Sequence, residues 1–336
     1  MRTKLPNERT MKEKLYTLQL RQALPLDAKE LLSKRRVEEF YRFYDGRVYV
    51  SVSGGVDSRA LGHLVRSIFP DVVFVFIDTG LEFPELKKQV KSFGNTIILK
   101  PEIPFNKVLK LYGYPVGSKM ISKQIRTIRS APESNFGRLC LTGITSKGNK
   151  SERWKLKDKW RPLLKAPFLI SEQCCDVMKK DPVHKWEKET GNHAFIGMMA
   201  ADSQTRELQY LQTGSCNNYR KGSSNPLMFW TKSDIFEYLL KYNLDYPKEV
   251  YGDIIKYRDS NGRWKFTSTG VQRTGCVFCM FGCDLERKET GMNRFQKMYK
   301  THPQLWEYCM FKLGLKEVLE FIGEPTEPFE TLGLYE

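Results

Sequence analysis

Val48-Tyr-Val-Ser-Val-Ser53-Gly54-Gly55-Val56-Asp57-Ser58 decides how this chain is read. A short β-branched strand runs into two glycines, and a helix follows with Leu61, Leu64, Val65 and Ile68 at helical spacing. Two glycines let the backbone turn tightly and aim successive N–H groups at a ligand. The start of the helix adds unsatisfied N–H donors and the positive end of its dipole. The hydroxyls of Ser53 and Ser58 supply further donors. Together these make an anion site suited to phosphate or sulfate. The spacing G-x-x-x-x-G-K-S/T is absent, so this is not a Walker A loop.

On either side of this turn, Asp27 to Tyr44 reads as an amphipathic helix stopped by Gly46. Val72 to Asp78 is a continuous apolar strand of the kind buried on both faces of a parallel sheet. Pro84 and Glu85 open another helix, and Thr96 to Leu99 is a further strand. Strand and helix in alternation predict an α/β fold with a doubly wound, mainly parallel sheet of Rossmann-like type. Ala194 to Met199 reads as a later strand, and Thr231 or Ser233 caps a helix carrying Ile235, Phe236, Leu239 and Leu240. The chain from Arg287 onward is helical in pattern, and Gly117 to Lys165 takes no assignment. The expected segments are an N-terminal helical piece (1–46), an α/β domain carrying the anion-site turn (47–250) and a C-x-x-C segment with a C-terminal helical region (251–336).

The 336 residues carry 55 Lys and Arg against 39 Asp and Glu, a net charge of +16. No apolar run approaches the roughly 18 residues that span a bilayer, and the N-terminus is polar, so a cytoplasmic protein without membrane association is expected. The charge is uneven: Ser118 to Lys165 holds 13 basic and 3 acidic residues, a balance of +10. That surplus suits a nucleotide, a nucleic acid or an acidic protein, or a solvated face. Trp154 and Trp160 inside it suit base stacking or core anchoring.

Eight cysteines in a chain this long are not a disulfide scaffold. Cys174 and Cys175 are adjacent, and Cys276 and Cys279 form a C-x-x-C, a grouping that points to metal or redox chemistry. Taken alone, the C-x-x-C also reads as a zinc half-site or a dithiol, and the Cys-Cys pair as two buried thiols. Cys309 lies in an apolar helical pattern and reads as a buried structural thiol.

At these residues a resemblance becomes specific. Ser53-Gly-Gly-Val-Asp-Ser58 after a strand resembles the PP-loop of adenine-nucleotide α-hydrolases, and within that superfamily the chain looks like the phosphoadenylyl-sulfate and adenylyl-sulfate reductase family. Phe76-Ile-Asp78-Thr79-Gly80-Leu-Glu82-Phe-Pro84-Glu85 is similar to that family's second strand and loop. Gly197-Met-Met199-Ala-Ala-Asp202-Ser203-Gln-Thr-Arg206 resembles its G-x-R-x-x-E-S-x-x-R segment, with Met199 in place of the first Arg and Asp202 in place of Glu. Asn225-Pro-Leu-Met-Phe-Trp230-Thr231 matches a later region. The Cys-Cys pair followed by C-x-x-C resembles the arrangement that holds a 4Fe-4S cluster in the adenylyl-sulfate-reducing branch. The resemblance therefore implies a cluster on Cys174, Cys175, Cys276 and Cys279, with Cys216 in reserve and zinc as the rival metal. Lys179, Lys180 and Arg273 flank these positions and read equally as cations that offset the cluster's negative charge or as solvated side chains.

The same resemblance implies an adenine nucleotide held by Ser53, Gly54, Gly55, Asp57, Ser58, Asp78, Thr79, Gly80, Ser203 and Arg206, with Asp57 and Arg206 in catalytic roles. Two activities follow as expectations. One is reduction of adenylyl sulfate or its 3′-phosphorylated form, with a thiol or an electron-donor protein as partner. The other is ATP-dependent sulfur transfer to DNA or transfer RNA, with Mg2+ accompanying ATP and residues 118–165 touching the nucleic acid. A non-catalytic nucleotide- or nucleic-acid-binding module is the third reading. The family's reductases carry a mobile C-terminal cysteine, and Phe329-Glu-Thr-Leu-Gly-Leu-Tyr-Glu336 has none; that and the basic stretch favour the second expectation, whereas the family motifs and the Cys-Cys pair resemble the first, which is the leading one.

Overall fold

The computed structural model describes residues 10–271 and 274–328; Arg273 and the segment 329–336 lie outside the described residues. The chain divides into two compact units, neither continuous in sequence. The first takes Met1–Asp78, Glu82–Lys100 and Val183–Thr274, and the second takes Thr79–Leu81, Pro101–Pro182 and Gly275–Glu336.

The first unit begins with two helices, α1 (Met11–Gln22) and α2 (Leu26–Phe43), before the sheet. Then come β1 (Val48–Val52), α3 (Val56–Arg66), β2 (Val73–Ile77), α4 (Pro84–Lys91) and β3 (Thr96–Leu99). After the second unit's central insertion the sheet resumes with β4 (His193–Ile196), α5 (Gln204–Thr213), β5 (Asn217–Asn218) and β6 (Ser223–Ser224). Helix α6 (Lys232–Lys241) and an antiparallel ribbon, β7 (Ile254–Arg258) with β8 (Trp264–Ser268), close the unit.

The sheet order is β3-β2-β1-β4-β6-β5, and every pair is parallel except β5 with β6. Alternate side chains go to opposite faces of the sheet. Val50, Val52, Phe74, Phe76 and Phe195 join Val37, Phe40, Leu61, Leu64 and Ile235 in the main core. Tyr49, Val75 and Ala194 pack on the other face with Val183 and Trp186. Both faces are covered, so the sheet is doubly wound, and the α/β expectation holds. The winding reverses at β1, which pairs with β2 on one side and β4 on the other. A crevice outside the carboxyl ends of two such strands is where open α/β sheets bind ligands.

One local difference from expectation has a clear cause. The strand read as 194–199 ends at Ile196. A Cβ on Gly197 would stand 3.1 Å from the Asp57 carbonyl oxygen, so here the chain passes against the first turn of α3 instead of pairing. Helix α2 is bound into the sheet unit through buried polar contacts: Lys29 Nζ to Asp234 Oδ2 at 2.7 Å, and Trp230 Nε1 donating to Ser33 Oγ at 2.9 Å.

The second unit folds the basic stretch that took no assignment. It forms helices Lys119–Ser130 and Asn135–Thr142 and 3-10 turns Glu152–Trp154 and Asp158–Lys165; the first carries a helical period in Ile121, Ile125 and Ile128, whereas the others are too short or too broken (Pro162 included) to show one. Trp160 is buried against Gly117, so core anchoring holds for it, while Trp154 is half-buried and meets Phe136 edge-on at 6.1 Å. The expected C-terminal helices include Cys283–Thr290, Arg294–Thr301 and Leu315–Phe321, with Phe295 and Met298 buried and Tyr299 exposed. Among the described residues no helix is long and apolar enough to cross a membrane.

Candidate functional site

The loop after β1 is built by its glycines. Gly54 takes φ +78°, and a Cβ there would lie 2.4 Å from the Leu86 carbonyl oxygen, so both conformation and space demand glycine. Gly55 is the N-cap of α3, and its missing Cβ would stand 2.9 Å from Tyr251 Oη and 3.0 Å from Thr274 Oγ1. Ser58 Oγ donates to the Gly55 carbonyl at 2.9 Å and accepts from Ser53 N at 3.1 Å. Ser58 thus braces the turn, while Ser53 is the exposed hydroxyl. The Val56 N–H points to Tyr251 Oη at 3.4 Å, and that hydroxyl hydrogen-bonds Thr274 Oγ1 at 3.0 Å.

Charged side chains gather at the same place. Asp57 Oδ1 meets Lys232 Nζ at 2.5 Å. Asp202 pairs with Arg206 and accepts from Met199 N at 3.2 Å. Burial pushes the Asp57 carboxyl above its ordinary value; Lys232 and Arg206 pull it down and Asp202 adds to the rise. Two carboxylates and two cations therefore share one neighbourhood beside an N–H-rich helix start. Ser203 caps α5, accepting from Arg206 N at 3.3 Å, and so sets where Arg206 begins. Met199, where the family has arginine, is 1% exposed and belongs to the core.

Sequence reasoning missed Lys232 and Tyr251. Lys232 is the first residue of α6, where the helix dipole disfavours a cation, and that local conflict was a readable signal. Tyr251 gave none, because its contact with the loop spans 195 positions. Asp78 directly follows β2 and pairs with Lys87 at 2.5 Å. The boundary between units falls after it, so Thr79 and Gly80 belong with the second unit. There Thr79 Oγ1 accepts from Leu81 N at 3.2 Å, and the Leu81 carbonyl accepts from Val277 N at 2.8 Å.

Within the second unit Cys174, Cys175, Cys276 and Cys279 line one cavity of about 320 Å³, part of it open to solvent. Leu81, Phe105, Pro115, Met178 and Lys179 complete it. Cys174 and Cys175 lead into a π-helical turn, Asp176–Lys180, a widening found often at functional sites. Cys175 is the thiol of the adjacent pair favoured as thiolate, lowered by the Cys174 hydrogen bond and by Lys119 and Lys179; burial pushes Cys279 up to about 11. Of the flanking cations, Lys179 lines the cavity and Lys180 is tied to Asp176 at 2.6 Å; Lys119 is a cation the sequence did not flag. Among the described residues no three His, Cys, Asp or Glu side chains are drawn together around a single metal ion. The donor set itself is four thiols in an apolar surround, the soft ligation that iron–sulfur clusters take. Cys216, the reserve ligand, sits in the core of the first unit at 1% exposure and does not line the cavity.

A mainly parallel sheet with an S-G-G-x-D-S turn at its switch point defines a PP-loop protein of the adenine-nucleotide α-hydrolase type. The family model of the phosphoadenosine phosphosulfate reductase domain matches residues 47–108 and 136–279, and the chain belongs to that family. It is 25% identical over 208 residues to an adenosine 5′-phosphosulfate reductase of Geobacillus kaustophilus, covering 61% of this chain and 68% of the relative. Among solved structures, a phosphoadenylyl-sulfate reductase of Candida auris aligns at 16% identity and TM-score 0.33, over 72% of this chain and 83% of that one. A U34-tRNA thiolase of Methanococcus maripaludis, solved with its 4Fe-4S cluster, aligns at 13% identity and TM-score 0.35, over 88% and 80%.

Proposed function

We propose that this chain is a sulfonucleotide reductase, binding adenylyl sulfate or its 3′-phosphorylated form on the Ser53–Ser58 loop and a 4Fe-4S cluster on Cys174, Cys175, Cys276 and Cys279. The observation that supports this most is the gathering of those four thiols, a hundred residues apart in sequence, around one cavity. In the overall reaction two thiols and the sulfonucleotide give sulfite, the adenosine nucleotide and a disulfide. A thiolate attacks sulfur, the S–O bond to the phosphate breaks, and the two electrons come from the thiols. The loop amides, Arg206 and Lys232 bind the anion and stabilise charge on the departing phosphate. Asp57 orients Lys232. A cluster held in the thiol cavity would supply redox poise, with Lys179 offsetting the negative charge of a four-thiolate cluster. Cys309 is fully buried with its thiol pushed up to about 12, and Cys216 is buried with its thiol at about 11, so the attacking thiolate is assigned to a small thiol or a donor protein. Eight cysteines without a disulfide support a reducing, cytoplasmic setting.

A second reading, ATP-dependent sulfur transfer to a nucleic acid, is favoured by the basic stretch 118–165. Apart from Arg126 and Lys155, its basic residues are exposed. Anaerobic protein given each sulfonucleotide or ATP separates the two. Thiol-dependent sulfite release supports the reductase; pyrophosphate from ATP with no sulfite replaces it with the second reading.

A further inference from the structure

The β7–β8 ribbon carries an exposed arrangement of rings and cations that folding does not require. Its register sets Lys256 opposite Phe266 and Arg258 opposite Trp264 on one face, and Tyr257 opposite Lys265 on the other. Its root is held: Phe266 N donates to Ser233 Oγ of α6 at 2.9 Å, and Ser268 is buried. Beyond the root both faces are open. Trp264 is 53% exposed, Tyr257 44% and Ile255 46%. Lys256 Nζ stands 4.6 Å and Arg258 Cζ 4.7 Å from the Trp264 ring centre.

Lys256, Arg258, Arg263 and Lys265 form no ion pair among the described residues. The turn's own acid, Asp259, is engaged with backbone, accepting from Asn261 N and Arg263 N at 2.9 Å each. Glu237 of α6 acts on Lys256 electrostatically without pairing with it. Large apolar rings left in water beside unpaired cations have a use when a polyanion with flat faces arrives: phosphates meet the cations and bases stack on the rings. An acidic peptide offers the charge without the faces. A duplex offers phosphates, but its base faces are already stacked on one another.

We propose that the β7–β8 ribbon is a binding surface for an unpaired nucleic-acid strand, with Trp264 and Tyr257 as stacking rings and Lys256, Arg258, Arg263 and Lys265 as phosphate contacts. This goes beyond the reductase reading and does not depend on it.

The test is fluorescence anisotropy of the full chain with labelled 12-nucleotide oligouridine and oligothymidine across a salt series. Replacing Lys256, Arg258, Arg263 and Lys265 with Gln should flatten the log–log salt slope by up to about 2.8, roughly 0.7 for each phosphate no longer neutralised. Trp264→Ala should weaken binding about tenfold, and Trp264→Phe should restore most of it. Affinity for adenylyl sulfate or ATP should be unchanged in every ribbon variant, so failure here is distinguishable from failure of the reductase reading. The proposal is overturned if the ribbon variants bind as the parent does, which includes the case where only replacement of Lys155, Lys157, Lys159 and Arg161 matters. It is equally overturned if a duplex or labelled polyglutamate binds as tightly as the single strand. Unchanged far-ultraviolet dichroism and melting certify that a weakened variant is folded.

Discussion

Lys232 Nζ lies 2.5 Å from Asp57 Oδ1, joining the first turn of α6 to the first turn of α3. Each residue stands at the positive end of a helix dipole, which favours Asp57 and disfavours Lys232. The pair therefore keeps a cation beside the Ser53–Ser58 loop where the local backbone would reject one. An incoming phosphate or sulfate offers Lys232 a partner that the dipole also welcomes.

Lys232→Ala should accordingly weaken adenine-nucleotide binding about ten- to a hundredfold, the span of one charge-assisted hydrogen bond. Titration calorimetry with adenylyl sulfate and ATP measures it. Affinity equal to the parent's for both ligands would place Lys232 outside the binding site.

The two loop glycines should fail differently. Gly54→Ala forces an unfavourable φ and drives a Cβ into the Leu86 carbonyl, a backbone atom that cannot step aside, so a loss of about 1–3 kcal/mol is expected. Gly55→Ala meets the Tyr251 hydroxyl instead. Adding Tyr251→Phe removes that oxygen, and the double variant should recover about 1 kcal/mol relative to the sum of the single ones. Urea melts of the four proteins show whether the coupling exists.

Anaerobically prepared protein should be brown with about four irons and matching sulfide per chain. Cys276→Ser and Cys279→Ser should each lose most of that iron, whereas Cys216→Ser should keep it, because Cys216 is packed in the other unit. One equivalent of zinc without sulfide would replace the cluster assignment.

Glu30 ties α2 to α6 and gives a pH signature. Burial raises its carboxyl, but Lys34 at 2.8 Å, Tyr242 at 2.6 Å and Lys241 at 2.9 Å outweigh that and lower it from 4.5 to about 2. A folded value below the unfolded one means the stabilisation is complete above about pH 4.5 and disappears as pH falls toward 2. Its size is at most about 3 kcal/mol. Glu30→Gln should be less stable than the parent at pH 7, with the gap closing by pH 2; a gap constant in pH would remove Glu30 from that role.

Much of the fold was legible because its signals are short-ranged. The apolar run at Val72 to Asp78, the β-forming residues before Ser53 and the helical spacing from Asp27 to Tyr44 each encode an element within a few neighbours. The ribbon was legible too: Asn261-Gly262 between Ile254-Ile-Lys-Tyr-Arg258 and Trp264-Lys-Phe-Thr267 is a hairpin signal that went unread. The basic stretch was only partly legible: Ile121, Ile125 and Ile128 mark its first helix, but the eight-residue helix and the 3-10 turns that follow leave no period to count.

Local sequence was enough to establish that β1 would end in a two-glycine turn before a helix, that the cysteines would come as a Cys-Cys pair and a C-x-x-C, and that the family would be that of the phosphosulfate reductases. All three are properties of adjacent residues: backbone freedom, residue type and motif spacing. Tertiary packing settled that Lys232 meets Asp57, that Tyr251 backs Gly55, that Leu81 pairs with Val277, and that Cys174 and Cys279 share a cavity while Cys216 does not. Such meetings are set by how helices pack on the sheet and by where the chain leaves and re-enters each unit. Packing sums many weak attractions between residues far apart in the chain, and no short stretch of sequence contains that sum.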